Sequence, residues 1–377
     1  MATADDHARA LAGELRELLV ERRRSAAAAG RAANGDLPAA VRELVDEQAA
    51  VLSQPRRAQI CELILRDTVG LGPLEDLLAD PEVEEVMVNG HQRVYVERHG
   101  TIEAADVRFP SEQALRDAIE RILAPVGRRV DELSPMADAR LADGSRVNVI
   151  IPPLAVDGPT LSVRRFTAVR PDPDELTASG TLTPEVRDLL ASAVAGRRNL
   201  LISGGTGSGK TTLLNALSVY IDPSERVITI EDAAELRLRQ PHVVRLESRP
   251  ASVEGRGAVT IRDLLRNALR MRPDRIVIGE VRGAEALDLL TALNTGHSGA
   301  LSTVHANSPV DALRRLETLA LMAGVGLPHE AIREQVGRGL DLVCHLVRGP
   351  GGSRLVAEVA EVTLTAGGLG AREVWRR

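Results

Sequence analysis

The sequence predicts an α/β protein: a mostly parallel sheet covered by helices, preceded by a smaller α+β domain and a helical N-terminal extension. Beyond residue 180, apolar strand-like runs alternate with segments of helical period. A glycine-rich loop stands between one such strand and the next helix. The 377 residues, 44% hydrophobic and 27% charged, fit two or three domains of ordinary globular composition.

Residues 1–55 are predicted to form a helical extension. Apolar side chains recur there at three- and four-residue spacing, at Leu11, Leu15, Leu18, Leu19, Leu37, Val41, Leu44, Val45 and Leu52. A further helix contains Ile60, Leu63 and Ile64 and runs into the turn-rich Gly70-Leu71-Gly72-Pro73. We place this helix in the next domain.

Residues 56–166 are predicted to form a small α+β domain. Short runs rich in β-branched residues indicate strands over 83–88, 93–97 and 146–151, and an amphipathic pattern indicates a helix over 112–124. The segment Arg170-Pro171-Asp172-Pro173-Asp174 continues neither kind of element, so residues 167–180 are predicted to be a linker.

Residues 181–377 are predicted to form the large domain. A helix over 184–195 precedes a strand over 199–203. Helices and strands then alternate over 213–220, 227–230, 261–271, 275–278 and 284–294.

Composition argues against several function classes. Acidic and basic residues are interspersed with a net charge of -6, and the chain has only five aromatic residues, so no direct nucleic-acid binding is expected. The two cysteines, Cys61 and Cys344, lie far apart and show no zinc-ligand spacing, which fits a reducing compartment. No apolar run approaches the roughly 18 residues of a membrane span, so we expect any membrane association to go through a partner.

One glycine-rich loop carries the strongest functional signal. The pattern G-x-x-x-x-G-K-[ST] is complete from Gly204 to Thr211, and Lys210 is the only lysine among 47 basic residues. A compact ammonium can reach between two phosphates from inside a tight loop, where a planar guanidinium cannot fit. The predicted nucleotide-binding residues are Gly204, Gly205, Thr206, Gly207, Ser208, Gly209, Lys210, Thr211 and Thr212.

Acidic residues at the ends of two predicted strands are candidates for the remaining chemistry. Glu280 follows the strand over 275–278, where a carboxylate could orient and deprotonate water. Many phosphate-loop enzymes carry Asp before this Glu, but here the residue is Gly279. Metal contact would then come from Thr211, water and Glu231 or Asp232. An alternative role for each acid is to complement a helix N-terminus.

Histidine and arginine side chains supply further candidates. His297 and His305 lie in a polar Gly/Ser/Thr/His tract around a short strand and could sense the γ-phosphate or an adjacent subunit. Seven arginines are placed where an arginine finger could act, although each considered alone is more often a solvated or ion-paired side chain: Arg140, Arg146, Arg164, Arg165, Arg270, Arg272 and Arg282.

Several blocks, in order, resemble the secretion and pilus-assembly ATPases of the type II/type IV secretion superfamily, most closely their tight-adherence (Tad, CpaF-type) branch. The blocks are Gly70-Leu71-Gly72-Pro73-Leu74-Glu75, Glu85-Val86-Met87-Val88-Asn89-Gly90, the segment from Leu141 to Asn148, Thr229-Ile230-Glu231-Asp232, Ile278-Gly279-Glu280-Val281-Arg282-Gly283, and the histidine tract from Thr295 to Asn307. The last three are similar to the family's aspartate box, atypical Walker B and histidine box. Gly279 is normal for this family.

The resemblance implies a RecA-like ATPase domain, a PAS-like small domain and a homo-hexameric ring with ATP between the two domains. It implies that Glu280 is the catalytic base, that Glu231 and Asp232 help hold Mg²⁺ and water, and that Arg140 and Arg146 close onto the γ-phosphate. Arg270 and Arg282 would act near the site or across subunits. The work would be export of a pilin or another protein through an inner-membrane platform protein, at the cytoplasmic face.

We consider four alternatives. The nearest is an ATPase of a conjugative or effector-delivering type IV secretion system, which shares these motifs. A nucleic-acid motor on a similar core is disfavoured by the charge and the few aromatics. A standard GTPase is excluded, because its Asn-Lys-x-Asp motif needs a second lysine. The last is a nucleotide-binding regulator without turnover.

Overall fold

The computed structural model describes residues 4–28, 36–98, 100–141, 143–165, 171–249, 251, 256–349, 352–365 and 368–377. The chain divides into two compact units, Met1–Thr167 and Ala168–Arg377. The predicted end of the small domain at Phe166 and the linker residues 167–170 lie outside the described residues. Each unit is described by itself.

Three helices open the first unit: α1 (Ala4–Ala28), α2 (Leu37–Gln48) and α3 (Gln54–Val69). Each of α2 and α3 has a proline in its first turn, where the missing N–H is not needed. Their apolar stripes form one core, in which Ile60 and Ile64 of α3 are fully buried with Val41 and Leu44 of α2. The helix that we placed with the α+β domain therefore packs with the extension, and this differs from the predicted grouping.

A six-stranded antiparallel sheet forms the rest of this unit, with the strand order β3-β2-β1-β6-β5-β4. Helix α5 buries Leu115, Ile119 and Ile122 in the same core as Val86 and Val163 of the sheet. The elements are α4 (Leu74–Ala79), β1 (Val83–Asn89), β2 (Arg93–Arg98), β3 (Thr101–Ala104), α5 (Glu112–Leu123), β4 (Met136–Arg140), β5 (Arg146–Ile150) and β6 (Thr160–Arg164). Strands β3, β4 and β6 were not predicted.

The second unit is an eight-stranded sheet with the order β14-β13-β12-β7-β11-β10-β8-β9. The six strands β12, β7, β11, β10, β8 and β9 are parallel to their neighbours in this order. Strands β13 and β14 extend the β12 edge and are antiparallel. The strands are β7 (Leu200–Gly204), β8 (Val227–Glu231), β9 (Val243–Glu247), β10 (Arg275–Ile278), β11 (Leu301–His305), β12 (Leu342–Arg348), β13 (Arg354–Thr365) and β14 (Gly368–Arg376).

Helices cover both faces of this sheet, as expected where parallel strands are buried on both sides. The helices are α6 (Pro173–Ala178), α7 (Pro184–Ala195), α8 (Lys210–Leu217), α9 (Ile261–Ala268), α10 (Glu285–Asn294), α11 (Pro309–Leu321) and α12 (His329–Gly339). Helices α7 and α8 share one core with Leu200 and Ile202, whereas α9 to α12 share the other with Leu201 and Ile278.

Part of the predicted linker is helical. Asp172 caps α6: its side chain accepts from the Glu175 amide, and the Glu175 side chain accepts from the Asp172 amide. Pro173 stands at the first helical position, where it starts a helix. The prediction of an unstructured linker over 167–180 is therefore wrong for residues 173–178.

Candidate functional site

The phosphate loop rises from the carboxyl end of β7, which is buried along its whole length. Gly204 is required at the start of the loop, because a β-carbon there would lie 2.6 Å from the Leu346 carbonyl oxygen of the neighbouring β12. Gly209 has a φ of 92° and caps α8 in the left-handed region that glycine favours. The loop thus ends at a helix N-terminus, where backbone amides and the helix dipole favour an anion.

Lys210 lies folded back over its own loop and is 7% exposed. Its Nζ donates to the carbonyl oxygens of Gly204 at 3.1 Å and Gly205 at 2.8 Å. Thr206 is exposed in the loop, whereas Thr211 and Thr212 are half-buried in the first turn of α8. The ammonium is therefore held at the loop, which is where the sequence predicts it.

Glu280 is the centre of a polar cluster at the ends of β10 and β11. Its Oε1 lies 3.1 Å from His305 Nε2, and its Oε2 accepts from Arg282 Nη2 at 2.7 Å. His305 Nε2 also lies 3.4 Å from Lys210 Nζ, so the imidazole stands between the predicted base and the phosphate-loop lysine. Burial, with the Lys210 charge, lowers the pKa of His305 below its ordinary value of 6.5. The lowered pKa favours the neutral imidazole at pH 7, and its Nε2 lies within hydrogen-bonding distance of both Glu280 and Lys210.

Asp232 extends this cluster toward β9. Arg282 Nη1 lies 3.8 Å from Asp232 Oδ2, and the Ser248 hydroxyl donates to Asp232 Oδ1 at 3.0 Å. Lys210, His305, Glu280, Arg282 and Asp232 therefore form one continuous chain of contacts along the carboxyl edge of the sheet, where ligands bind in such folds.

Glu231, the last residue of β8, is 3% exposed. Its Oε2 accepts from the amides of Glu235 at 2.8 Å and Leu236 at 2.9 Å. Within the described residues its Oε1 is buried without a hydrogen-bond partner. Burial raises the pKa of this carboxyl to about 7, although the two amides act in the opposite direction.

Oxygen donors for Mg²⁺ are present at this edge. Mg²⁺ is usually held by one or two protein oxygens together with substrate phosphates. The unpartnered Oε1 of Glu231 and the hydroxyl of Thr211 at the end of the phosphate loop are the donors that such an ion takes. The residues present therefore fit a Mg²⁺ ion that is shared with a nucleotide.

Two predicted residues lie at the opposite edge of the sheet. Arg270 follows α9 just before β10 begins, is exposed, and donates to the Arg266 carbonyl oxygen. His297 precedes β11, and its Nδ1 is buried without a hydrogen-bond partner in the described residues. Because β10 and β11 separate these residues from Glu280 and His305, neither joins the cluster within its own subunit. Arg270 therefore does not lie near the site in its own chain, and the expected action across subunits stays a prediction.

Four of the predicted arginines, Arg140, Arg146, Arg164 and Arg165, belong to the first unit. Arg140 ends β4 and Arg146 begins β5, and the two are directly opposite in the antiparallel pair. Arg140 Nε donates to the Gly144 carbonyl oxygen at 3.2 Å, which holds the guanidinium at the turn between the strands. Arg164 is the next residue across the sheet from Arg146.

Three residues near the loop were missed by sequence reasoning. His345 is buried on β12, and its Nδ1 lies 3.0 Å from the Ser203 hydroxyl, directly before the loop. Arg348 and Arg354 stand beside the loop glycines. Their position depends on the pairing of β12 with β7, which local patterns do not reveal.

The chain matches the family model described as type II/IV secretion system protein over residues 67–363. The chain belongs to this family. A putative conjugal transfer protein of Mycobacterium tuberculosis is 41% identical over 315 residues, which are 82% of this chain and 89% of that protein. Type IV secretion system protein PtlH of Bordetella pertussis is 36% identical over 328 residues, with coverages of 77% and 93%.

A solved structure supports the fold. The pilus retraction motor PilT, with bound ADP, superposes with a TM-score of 0.54 at 22% identity, covering 80% of this chain and 83% of that one. The predicted α/β architecture, an N-terminal domain followed by a RecA-like ATPase domain, is confirmed. As a type II/IV secretion system protein with a complete phosphate loop, the chain is an ATPase. In the part of the chain that is described, none of the helices has the length and apolar character of a membrane span.

Proposed function

We propose that this ATPase is a ring-forming motor that hydrolyses ATP to drive protein export or pilus assembly at the cytoplasmic face of a membrane. The observation that carries the proposal is the contact chain from Lys210 through His305 to Glu280. It joins the group that faces the phosphates to the carboxylate that would activate water. A nucleotide-binding regulator without turnover has no need for that second group.

In this proposal each residue has a separate task. Lys210 leaves the carbonyl oxygens of its loop and offsets charge on the β- and γ-phosphates, and the amides at the start of α8 hold the remaining oxygens. Glu280 orients the attacking water and accepts its proton, with His305 and Arg282 fixing the carboxylate. Thr211, through its hydroxyl, and Glu231, through water, would hold Mg²⁺, and the ion would neutralise charge at the phosphates. Asp232 positions Arg282.

The remaining predicted residues fit action between domains or subunits. Arg140 and Arg146 lie side by side at one end of a sheet in the first unit and are proposed to close onto the γ-phosphate. Arg270 and His297 lie away from Glu280 in their own chain. We therefore propose that they act at the ATP site of a neighbouring subunit in a homo-hexamer. Positive charge supplied from another domain or subunit would couple hydrolysis to movement.

We propose two candidates for the secretion machinery that this ATPase would drive. Export work fits the chain's relatives, because one is named a conjugal transfer protein and another a type IV secretion system protein. The first candidate is a Tad-type pilus with its inner-membrane platform protein, because the sequence most closely resembles the tight-adherence branch of the family. A conjugative or effector-delivering type IV system is the second candidate, and the names of those relatives favour it.

Genetic complementation tests the proposal. The gene is deleted in the source organism and restored as wild type, Glu280→Gln, or the exposed control Glu330→Gln on α12. We expect wild type and the control to restore surface pili, and Glu280→Gln to fail at equal protein level. Loss of DNA transfer or protein export with intact pili would select the second candidate. Full restoration of all three activities by Glu280→Gln would contradict the motor function.

A further inference from the structure

A buried polar pair lies where the phosphate loop begins. His345 on β12 is directly opposite Ser203, the residue of β7 that precedes the glycines of the loop. The Nδ1 atom of His345 lies 3.0 Å from the Ser203 hydroxyl oxygen. His345 is 6% exposed, and Ser203 is fully buried. Neither side chain belongs to the polar cluster around Glu280.

The two residues are polar positions in stretches that are otherwise apolar. Residues 200–202 of β7 and 342–344 of β12 are all buried hydrophobic side chains. Replacing both partners of a buried hydrogen bond by apolar groups of the same shape is in general nearly neutral or stabilising. Stability of the sheet alone therefore does not account for a histidine and a serine at this place.

The pair adjoins the backbone on which Lys210 rests. Ser203 is followed by Gly204, whose carbonyl oxygen accepts from Lys210 Nζ at 3.1 Å. Gly204 itself packs against Leu346, the residue after His345, because an added β-carbon would lie 2.6 Å from the Leu346 carbonyl oxygen. Two consecutive residues of β12 therefore hold two consecutive residues at the start of the loop, one through its side chain and the other through its backbone.

The loop strand has a histidine on each side. His305 on β11 is opposite Gly204, and His345 on β12 is opposite Ser203. His305 Nε2 lies 3.4 Å from Lys210 Nζ, whereas His345 contacts the serine that leads into the loop. The two histidines therefore act on the loop in different ways, the first at the lysine side chain and the second at the end of the strand.

The His345 imidazole can hold the serine hydroxyl in either protonation pattern. Burial, with the Lys210 charge, lowers the pKa of His345, and Asp311 on α11 acts in the opposite direction. The lowered pKa favours the neutral ring, whose Nδ1 either accepts from the Ser203 hydroxyl or donates to its oxygen. The hydroxyl therefore keeps its partner whichever ring nitrogen carries the proton.

We propose that His345 is a positioning residue for the phosphate loop. Through the Ser203 hydroxyl it fixes the backbone from which Gly204 turns, so that the loop amides and Lys210 meet the phosphates without rearrangement of the strand end. A site that is ordered before binding has a higher affinity, because less conformational freedom is lost when the ligand binds. This role deepens the proposed function and rests on it, because it concerns the loop that binds ATP.

Nucleotide binding and turnover of the full chain test this role. His345→Leu and Ser203→Ala each remove one partner of the hydrogen bond. We expect each variant to weaken binding of a non-hydrolysable ATP analogue and of inorganic tripolyphosphate by the same factor, roughly 10-fold, as for loss of one buried hydrogen bond. KM for ATP should rise by a similar factor. The kcat should stay within about 3-fold of wild type, because Glu280 and His305 are unchanged.

Three further variants separate positioning of the loop from packing of the sheet. His345→Asn keeps a polar amide near the place of Nδ1, so it should bind both probes within about 3-fold of wild type. Val343→Ala shortens a buried side chain on the same strand, opposite Leu201 and further from the loop. It should lower thermal stability and leave both affinities unchanged. Combining His345→Leu with Ser203→Ala should cost no more affinity than either change alone, as expected for two partners of one bond.

Three results would overturn the positioning role. Unchanged or tighter binding of both probes in His345→Leu and Ser203→Ala would remove the pair from loop positioning. An equal loss of affinity in Val343→Ala would reduce the effect to packing. Additive losses in the double variant would show that the two side chains act separately.

Failure of the proposed function gives a different result. A wild-type chain that binds neither probe would contradict the nucleotide site and the role of His345 together. A wild-type chain that binds both probes without turnover would contradict only the motor function, and the affinities of the variants would still decide the role of His345.

Discussion

Gly279 and Glu231 are packed so closely that a β-carbon on residue 279 would lie 2.8 Å from Glu231 Cγ. The strand pairing explains this contact, because Ile278 on β10 is opposite Ile230 on β8, so the next residues of both strands also meet. Glycine therefore stands where many phosphate-loop enzymes have Asp, because the Glu231 side chain fills that space. Thr303 adds a second restraint by donating its hydroxyl to the Gly279 carbonyl oxygen at 2.6 Å.

Gly279→Ala should destabilise the second unit and displace Glu231. Overpacking of this kind costs about 1–3 kcal/mol in the free energy of unfolding. Denaturant unfolding measures it, and Gly13→Ala, where nothing lies within 4 Å of the added carbon, is the control. Combining Gly279→Ala with Glu231→Ala should recover part of the loss. Strict additivity of the two changes would contradict the steric account.

Glu231→Gln should change how stability depends on pH. The folded-state pKa of about 7 lies above the ordinary value of 4.5, so the folded protein holds a proton that the unfolded chain releases. Stability from this group is therefore present at low pH and lost as pH rises through 7. The variant should match wild type near pH 4.5 and exceed it by roughly 3 kcal/mol at pH 8. Urea unfolding across that range is the measurement, with the exposed Glu330→Gln as control. A constant difference at all pH values would count against the raised pKa.

Lys210→Ala and Lys210→Arg should both lose nucleotide binding. The first substitution removes the charge. The second introduces a planar guanidinium in place of a compact ammonium, whose Nζ lies 2.8 Å and 3.1 Å from two carbonyl oxygens of the loop. We expect affinity for a non-hydrolysable ATP analogue to fall roughly 100-fold in both variants, as expected when a hydrogen bond to a charged group is lost. Circular dichroism checks that the fold is kept. Near-normal binding by Lys210→Arg would refute the size argument.

The two histidines should behave differently. His305→Asn removes the imidazole that contacts Glu280, so kcat should fall at least about 10-fold while KM stays within about 3-fold. In the monomeric chain, His297→Asn should leave nucleotide affinity unchanged, because β11 separates this residue from the loop of its own chain. Steady-state kinetics and analogue binding measure the pair. An unchanged kcat in His305→Asn would remove this residue from the catalytic cluster.

Long, strongly patterned segments were predicted well, because burial on both sheet faces leaves a clear signal. Helix α7 occupies the predicted 184–195, and β10 the predicted 275–278. Strands β3 and β4 were missed because they are short and have no fully buried residue, so they carry no strong apolar pattern. The 12-residue β13 was also not predicted.

The motifs place Lys210, Glu280 and Glu231 at the carboxyl ends of buried strands, and they lie there in the structure, while their roles in catalysis and metal binding stay predictions. Residues that reach the loop through strand pairing were not predicted, because the register that places His345 opposite Ser203 is a property of the whole sheet. Helix α6 shows a different limit. Its capping box was readable in the sequence, but Pro173 was taken as a stop although it is well suited to start a helix.

The most direct test of the motor function combines light scattering with ATP hydrolysis, for wild type and Glu280→Gln, with and without a non-hydrolysable ATP analogue. We predict a wild-type hexamer that hydrolyses ATP. The variant should keep its affinity for the analogue and its assembly, but lose turnover by roughly 100-fold or more, as expected for loss of a positioned base. Normal hydrolysis by Glu280→Gln, or a wild-type chain that stays monomeric without turnover, would contradict the account.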